Sequence, residues 1–219
     1  MQIFKLRLLI FFFLFSLFFG CATFQKIDFS QKEKLLSAHL KEWENIQIDG
    51  IIELNYRSFS FRKNIVIKKT GNLGRIDIFD SGVFGLKPNP FISAYFDSTL
   101  FVRFPEQTKF VEINNSSLKR ELPDLSFIKI FDELVSNKNK ILEEKKYRNN
   151  DFIFYFSDEM KLEKIELAQE KFCVLFDYSK ELSKILIFKN SKEIANIQID
   201  KISHKNIEIT NDYIRFPTY

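Results

Sequence analysis

A short stretch of alternating residues decides the fold of this chain: Ile46-Gln47-Ile48-Asp49-Gly50-Ile51-Ile52-Glu53-Leu54-Asn55-Tyr56. Successive side chains of a β-strand point to opposite faces of a sheet, so a period of two predicts a strand with one buried face. Gly50 interrupts the alternation and indicates an irregularity in the strand. We therefore expect residues 46–56 to form the first strand of an antiparallel sheet.

Further strands are predicted in both halves of the chain. Residues 61–68 and 73–79 continue the alternation, and Gly71 and Asn72 form a turn between them, which predicts a three-stranded meander. Apolar segments bounded by turn residues predict further strands at 91–96, 100–104, 109–113, 152–156, 162–168, 171–178, 182–189, 193–202 and 207–209.

Two segments have the helical period instead. The first is capped by Asp28 or Ser30, and the second opens near Leu122. Their apolar faces are predicted to carry Leu35, Leu36, His39, Leu40 and Trp43 in the first helix, and Leu125, Ile128, Phe131, Leu134 and Val135 in the second. The charged run 137–150 favours a solvated loop or helix end. This order predicts an α+β fold, in which one long antiparallel sheet curls into a half-barrel covered by a few helices.

The N-terminus carries an export signal. Lys5 and Arg7 precede an apolar run that ends at Gly20 and is shorter than the roughly 20 residues needed to span a bilayer. Cys21 follows directly, and this arrangement resembles the lipobox of bacterial lipoproteins, whose cysteine is lipid-modified and becomes the mature N-terminus.

The lipobox resemblance implies a cleaved signal peptide at 1–20, lipidation of Cys21, and a mature domain at 21–219 with a tether at 21–29. An ordinary signal peptide with a free cysteine nearby, or an uncleaved N-terminal anchor, remains an alternative. Either alternative still exports residues 22–219.

Composition excludes several classes of function. The formal net charge is +4, and removing Lys5 and Arg7 with the signal leaves +2, which is too balanced to predict nucleic-acid binding. Cys173 has no partner if Cys21 carries lipid, and its apolar surroundings predict a small core residue rather than a reactive thiol. The two histidines, His39 and His204, are far apart in sequence, and His39 is expected to be packed rather than a ligand. No catalytic motif, cofactor site or metal site is predicted.

Three blocks of the sequence resemble the LolA/LolB group of bacterial lipoprotein carriers and receptors, and Cys21 makes the resemblance closer to LolB. The blocks are the first helix with residues 48–54, residues 74–79 running into 82–85, and residues 162–202. In the second block, Phe84 takes the place of an exposed leucine on a protruding loop of LolB. Here, however, the loop proline follows that position instead of preceding it.

The resemblance implies a monomeric, non-catalytic lipoprotein that is anchored in the outer membrane and faces the periplasm. It would bind lipid or lipoprotein acyl chains in an apolar hollow and exchange cargo with a periplasmic LolA-like carrier. A structural or envelope-assembly lipoprotein, whose hollow is filled by its own phenylalanines, is the alternative. The strand alternation assigns to the hollow Ile52, Leu54, Ile65, Ile67, Ile76, Ile78 and Ile185, and the loop that meets membrane or cargo contains Val83, Phe84, Leu86 and Phe91.

Overall fold

A computed structural model describes residues 28–80, 90–97, 99–104, 111–113, 130–167, 171–179 and 181–209. Within these residues, 12 strands form one sheet and three helices lie against it. The strands are β1 Asn45–Tyr56, β2 Phe59–Thr70, β3 Leu73–Phe79, β4 Pro90–Phe96, β5 Leu100–Arg103, β6 Val111–Ile113, β7 Lys146–Arg148, β8 Phe152–Phe156, β9 Leu162–Leu167, β10 Phe172–Tyr178, β11 Leu182–Lys189 and β12 Lys192–Ser203. The helices are α1 Phe29–Glu44, α2 Ile130–Ser136 and α3 Lys138–Glu144.

The first and last strands meet at the centre of the sheet. Its order is β6-β5-β4-β3-β2-β1-β12-β11-β10-β9-β8-β7, and every neighbouring pair is antiparallel. The chain therefore meanders from β1 to one edge, passes through α2 and α3, and meanders back from the other edge to β12. The sheet is single, open and curled, which confirms the predicted α+β half-barrel.

Two segments differ in secondary structure from the sequence prediction. Residues 207–209 are not a strand, because β12 ends at Ser203 and the chain leaves the sheet there. The charged run 137–150, predicted as a solvated loop or helix end, instead forms a separate helix, α3, and a strand, β7. Ile141, Leu142 and Tyr147 are buried, and they give a short helix and a short strand one apolar side each.

Helix α1 lies across one end of the sheet. Asp28 caps it by accepting a hydrogen bond from the backbone N–H of Phe29 (2.8 Å). Leu36, His39 and Leu40 are buried as predicted, whereas Leu35 is 36% exposed and does not belong to the buried face. A helix of 16 residues is about 24 Å long, which matches the width of about six neighbouring strands.

The two ends of the sheet differ. Helix α1 passes from the β8–β9 turn, where His39 accepts a hydrogen bond from the backbone N–H of Leu162, to Asn45 at the start of β1. We call this the helix end; it also includes the turn at Gly71. The opposite end, which we call the hairpin end, contains the two-residue turns at 57–58 and 190–191.

The core has two parts. One joins the helices to β7, β8 and β9, and it contains Leu36, Leu134, Ile141 and Phe154, each fully buried. The other covers the centre of the sheet and consists mainly of isoleucine. Trp43 packs against both parts, so the end of α1 connects them.

Gly50 marks an irregularity in the central strand pair, as predicted. Asp49 pairs with Lys201 but Gly50 pairs with Ile199, so β12 has one extra residue here. A Cβ atom on Gly50 would lie 2.3 Å from the backbone oxygen of Gln198, which means that only glycine allows this close approach.

Replacing Gly50 with alanine is expected to lower the free energy of unfolding by an amount near the upper end of about 1–3 kcal/mol, because β1 and β12 must separate. Urea denaturation measures this loss. Gly71→Ala is the matched control: its φ is +53° but nothing lies within 4 Å of the added Cβ, so only backbone strain of about 1 kcal/mol is expected. A smaller loss at Gly50 than at Gly71 contradicts the close-approach explanation.

Candidate functional site: the aliphatic inner face

The strand register places a continuous apolar surface on the face of the sheet that the helices contact, which we call the inner face. Residues paired directly across antiparallel strands point to the same face. The rows that cross the sheet on this face are Ala94, Ile76, Ile67, Ile48 and Ile202; Ile92, Ile78, Ile65, Gly50 and Ile199; Lys63, Ile52, Ile197, Ile185 and Phe176; and Phe61, Leu54, Ala195, Ile187, Val174 and Ile165. Nearly every position is aliphatic or aromatic.

All the side chains assigned to the hollow from the sequence lie in these rows. Ile52, Ile65, Ile78 and Ile185 are buried, while Leu54, Ile67 and Ile76 are half-buried. The structure thus brings the predicted residues together on one face. The half-buried members leave part of their apolar surface accessible.

Phe91 was predicted both as the first residue of a strand at 91–96 and as part of the contact loop, and the structure confirms the strand position. It lies in β4, and its ring makes an edge-to-face contact with Phe61 (centroid distance 5.9 Å) at the margin of the inner face. The Lys63 ammonium lies 4.2 Å from the centre of the Phe91 ring and also forms an ion pair with Asp80. Phe91 is therefore a half-buried strand residue. The other residues of the predicted contact loop, Val83, Phe84 and Leu86, lie outside the described residues, as does Cys21.

A cavity of about 320 Å³ lies at the helix end of the inner face. Its volume is at the lower end of the roughly 300–1,000 Å³ typical of small-molecule pockets. One side is aliphatic and the other is aromatic and polar. The lining residues are His39, Glu42, Trp43, Ile46, Lys161, Tyr178, Glu181, Leu182, Ile202 and His204.

His39 connects two elements of the cavity wall by hydrogen bonds. Its Nε2 atom accepts hydrogen bonds from the Trp43 indole N–H (3.1 Å) and from the backbone N–H of Leu162 (2.9 Å). Burial, together with the nearby positive charge of Lys161, lowers the pKa of His39 to about 4. The side chain is therefore neutral at pH 7 and joins α1 to β9. This agrees with the prediction of a packed histidine.

Tyr178 is one of the cavity residues that the sequence analysis did not assign to a site. Its hydroxyl is buried and makes no hydrogen bond within the described part of the chain, and burial raises its pKa. The ring packs edge-on against His39 (6.1 Å). The strand alternation could have placed Tyr178 on the inner face, because Val174, Phe176 and Tyr178 occupy alternate positions of β10.

Three carboxylates on and beside β3 and β4 have separate partners. Asp77 accepts hydrogen bonds from Arg75 Nε (2.6 Å) and Ser93 Oγ (2.7 Å), Asp80 pairs with Lys63, and Asp97 accepts one from the backbone N–H of Thr99. Among the described residues, no three histidines, cysteines or acids are grouped to hold a metal ion.

Cys173 is less buried than predicted. It lies on the outer face, opposite Phe188, and it is half-buried rather than part of the core. Partial burial still raises the pKa of its thiol, which disfavours the reactive thiolate.

Comparisons with known proteins leave the family open. No family model matches the sequence. No curated protein matches it either. Among solved structures, the chain is similar to a DUF1329 family protein from Desulfovibrio piger, with a TM-score of 0.39 and 10% identity over 85% of this chain and 96% of that one. A likeness this distant carries no functional argument.

The arrangement is suited to holding hydrocarbon. The four rows contain one charged side chain, Lys63, which is paired at the margin with Asp80. Lys69, opposite Ile46 on the same face at the helix end, is buried and donates a hydrogen bond to the Gly71 carbonyl oxygen. Apolar surface removed from water contributes about 25 cal/mol per Å², so a ligand must bury a long apolar segment here to bind well. None of the helices in the described residues is long and apolar enough to cross a membrane.

Proposed function

We propose that this chain is a LolB-like envelope lipoprotein that binds acyl chains of lipids or lipoproteins on its inner face. The observation that carries the proposal is the largely aliphatic surface of β3, β2, β1, β12 and β11, part of which is only half-buried. An alkyl chain placed along these rows meets no unpaired polar side chain. The chemistry is binding and transfer rather than catalysis.

The proposal includes where the protein acts. Cys21 would carry the lipid that anchors it to the outer membrane facing the periplasm, and two or three acyl chains hold a protein there for long periods. Val83, Phe84 and Leu86 would form the loop that meets membrane or cargo. A periplasmic LolA-like carrier would donate the cargo, and transfer would follow from tighter binding by the acceptor, without nucleotide.

A second candidate rests on the other part of the core. Phe131, Phe152, Phe154 and Phe156 are buried between the helices and β8, so this side of the sheet is already filled by the protein itself. If the filling extends over the isoleucine rows, the protein is a structural or assembly lipoprotein with the same fold. Ligand binding separates the two candidates.

A fluorescent fatty acid is expected to bind the purified protein saturably. Ile67→Trp adds bulk to the inner face of β2 and should weaken that binding about tenfold, which corresponds to about 1.4 kcal/mol. Asn64→Trp places the same side chain on the exposed outer face of the same strand and should leave affinity unchanged. Titration by fluorescence measures both variants.

Two results would decide against acyl binding. One is the absence of saturable binding by the unmodified protein, which favours the structural candidate. The other is equal weakening by the two tryptophans, which places the probe away from the inner face. Circular dichroism confirms that each variant is folded before affinities are compared.

A further inference from the structure

The cavity at the helix end contains a hydroxyl group without an acceptor. The Tyr178 hydroxyl is buried and has no hydrogen-bond partner in the described part of the chain. The Trp43 indole N–H next to it donates to His39 (3.1 Å), and an indole N–H cannot accept a hydrogen bond. Burial raises the pKa of Tyr178, so the hydroxyl keeps its proton at pH 7 and can donate it. A buried donor of this kind calls for an acceptor from outside the chain.

The buried wall around Tyr178 is neutral. His39 has a pKa of about 4 because of burial and the charge of Lys161, and its Nε2 atom already accepts two hydrogen bonds. The two lining acids, Glu42 and Glu181, are exposed residues. The unused polar group of the buried wall is therefore a neutral donor, which can pair with a charged or an uncharged acceptor.

The floor of this cavity belongs to the same apolar surface as the isoleucine rows. Ile46 and Leu182 are buried members of the isoleucine part of the core. Ile202 is the last residue of the row that begins at Ala94, and this row lies nearest the helix end. One polar donor is thus joined to aliphatic surface that continues towards the hairpin end.

We propose that this cavity binds the carbonyl group at the head of an acyl chain, with the Tyr178 hydroxyl donating to the carbonyl oxygen and the alkyl tail lying along the isoleucine rows. The inference rests on the proposed function, to which it adds a subsite and a direction for the chain. The donor selects an acceptor, and the aliphatic continuation selects an acceptor that carries a long alkyl chain. An acyl carbonyl meets both conditions, whether it belongs to a free acid or to an ester.

Displacement of a fatty acid that carries its fluorophore at the tail tests the subsite on the purified full-length protein. Three competitors share a dodecyl chain: dodecanoic acid and monododecanoylglycerol have a head carbonyl, whereas dodecyltrimethylammonium has no acceptor. Tyr178→Phe should weaken the acid and the ester about fivefold, the size of one hydrogen bond of about 1 kcal/mol. Binding of the ammonium compound should stay within about twofold.

Tyr155→Phe is the matched control. Tyr155 lies on the outer face, where its hydroxyl donates to Glu166 (2.7 Å). This variant should bind all three competitors within about twofold of the unmodified protein. Equal changes for the three competitors in Tyr178→Phe, or no change in any of them, overturn the proposal, because the hydroxyl then pairs with water alone.

Stability gives a second readout of the same variant. Tyr178→Phe removes a buried donor that has no partner in the protein, so it should unfold at the same urea concentration as the unmodified protein or at a higher one. A residue that weakens binding without supporting the fold is typical of a binding site. A clear loss of stability in Tyr178→Phe shows that the hydroxyl is bonded within the protein and overturns the proposal.

The competitors also separate this inference from the proposed function. Ile67→Trp should weaken all three, since they share the tail. If all three displace the probe and Tyr178→Phe treats them alike, the subsite alone is refuted and acyl binding stands. If the probe does not bind saturably, acyl binding on the inner face is refuted and the subsite with it.

Discussion

Replacing Phe154 with alanine is expected to lower the free energy of unfolding by about 3–5 kcal/mol, the usual cost of removing a buried phenylalanine. Its side chain is fully buried and its ring lies 6.1 Å from that of Phe152 and 6.4 Å from that of Tyr147. Surrounding aromatic rings on a sheet collapse poorly into the resulting cavity. For a domain of this size the melting temperature should fall by about 10 °C.

The same variant separates the filled part of the core from the proposed binding surface. Phe154 lies under the helices on β8, three strands beyond β11, so affinity for the fluorescent fatty acid should stay within about twofold at a temperature where the variant is folded. Val135→Ala, at a side chain that is 47% exposed, should change stability by less than about 0.5 kcal/mol. A large loss of affinity in Phe154→Ala places the acyl site under the helices instead.

His39 is expected to make stability fall between pH 6.5 and 4. Its pKa is about 4 in the folded protein and about 6.5 when unfolded, so the unfolded state binds a proton first as the pH decreases. The contribution is complete above pH 6.5 and decreases by roughly 3 kcal/mol by pH 4. Glu42 lies 3.8 Å from Nδ1, but its carboxylate is exposed, and Lys161 opposes protonation.

Urea denaturation at several pH values measures this effect. His39→Leu should be less stable at pH 7, since the N–H groups of Trp43 and Leu162 each lose an acceptor at about 1–3 kcal/mol. It should also lose the His39 part of the pH dependence. His204→Leu, at an exposed histidine of the same end, should keep the steep dependence of the unmodified protein. An unchanged slope in His39→Leu contradicts the assignment.

The alternation of apolar residues predicted the inner face well, because every second side chain of a strand points to the same face of the sheet. Ile52, Ile65 and Ile78 were assigned to one face from sequence, and the register confirms the phase of each strand. Gly50 was identifiable as an irregular point because a residue without a Cβ atom is rarely useful inside a strand. The antiparallel order followed from the short turns between neighbouring strands.

Other features depend on contacts that are distant in sequence. Ile141 and Tyr147 are flanked by charged residues, so local composition predicted a solvent-exposed segment. Their burial results from packing in the core between the helices and β7–β9. The cavity at the helix end needs His39 and Tyr178 side by side although they are far apart in the chain.

The position where α1 begins restricts how an anchored molecule can rest on a membrane. Residues 21–27 reach at most about 25 Å, whereas β12, with 12 residues, separates the helix end from the hairpin end by about 40 Å. Helix α1 lies at the helix end, where His39 accepts a hydrogen bond from the backbone N–H of Leu162. A lipid on Cys21, as proposed, would therefore hold the helix end within about 25 Å of the membrane surface, while the hairpin end could lie up to about 40 Å farther from it.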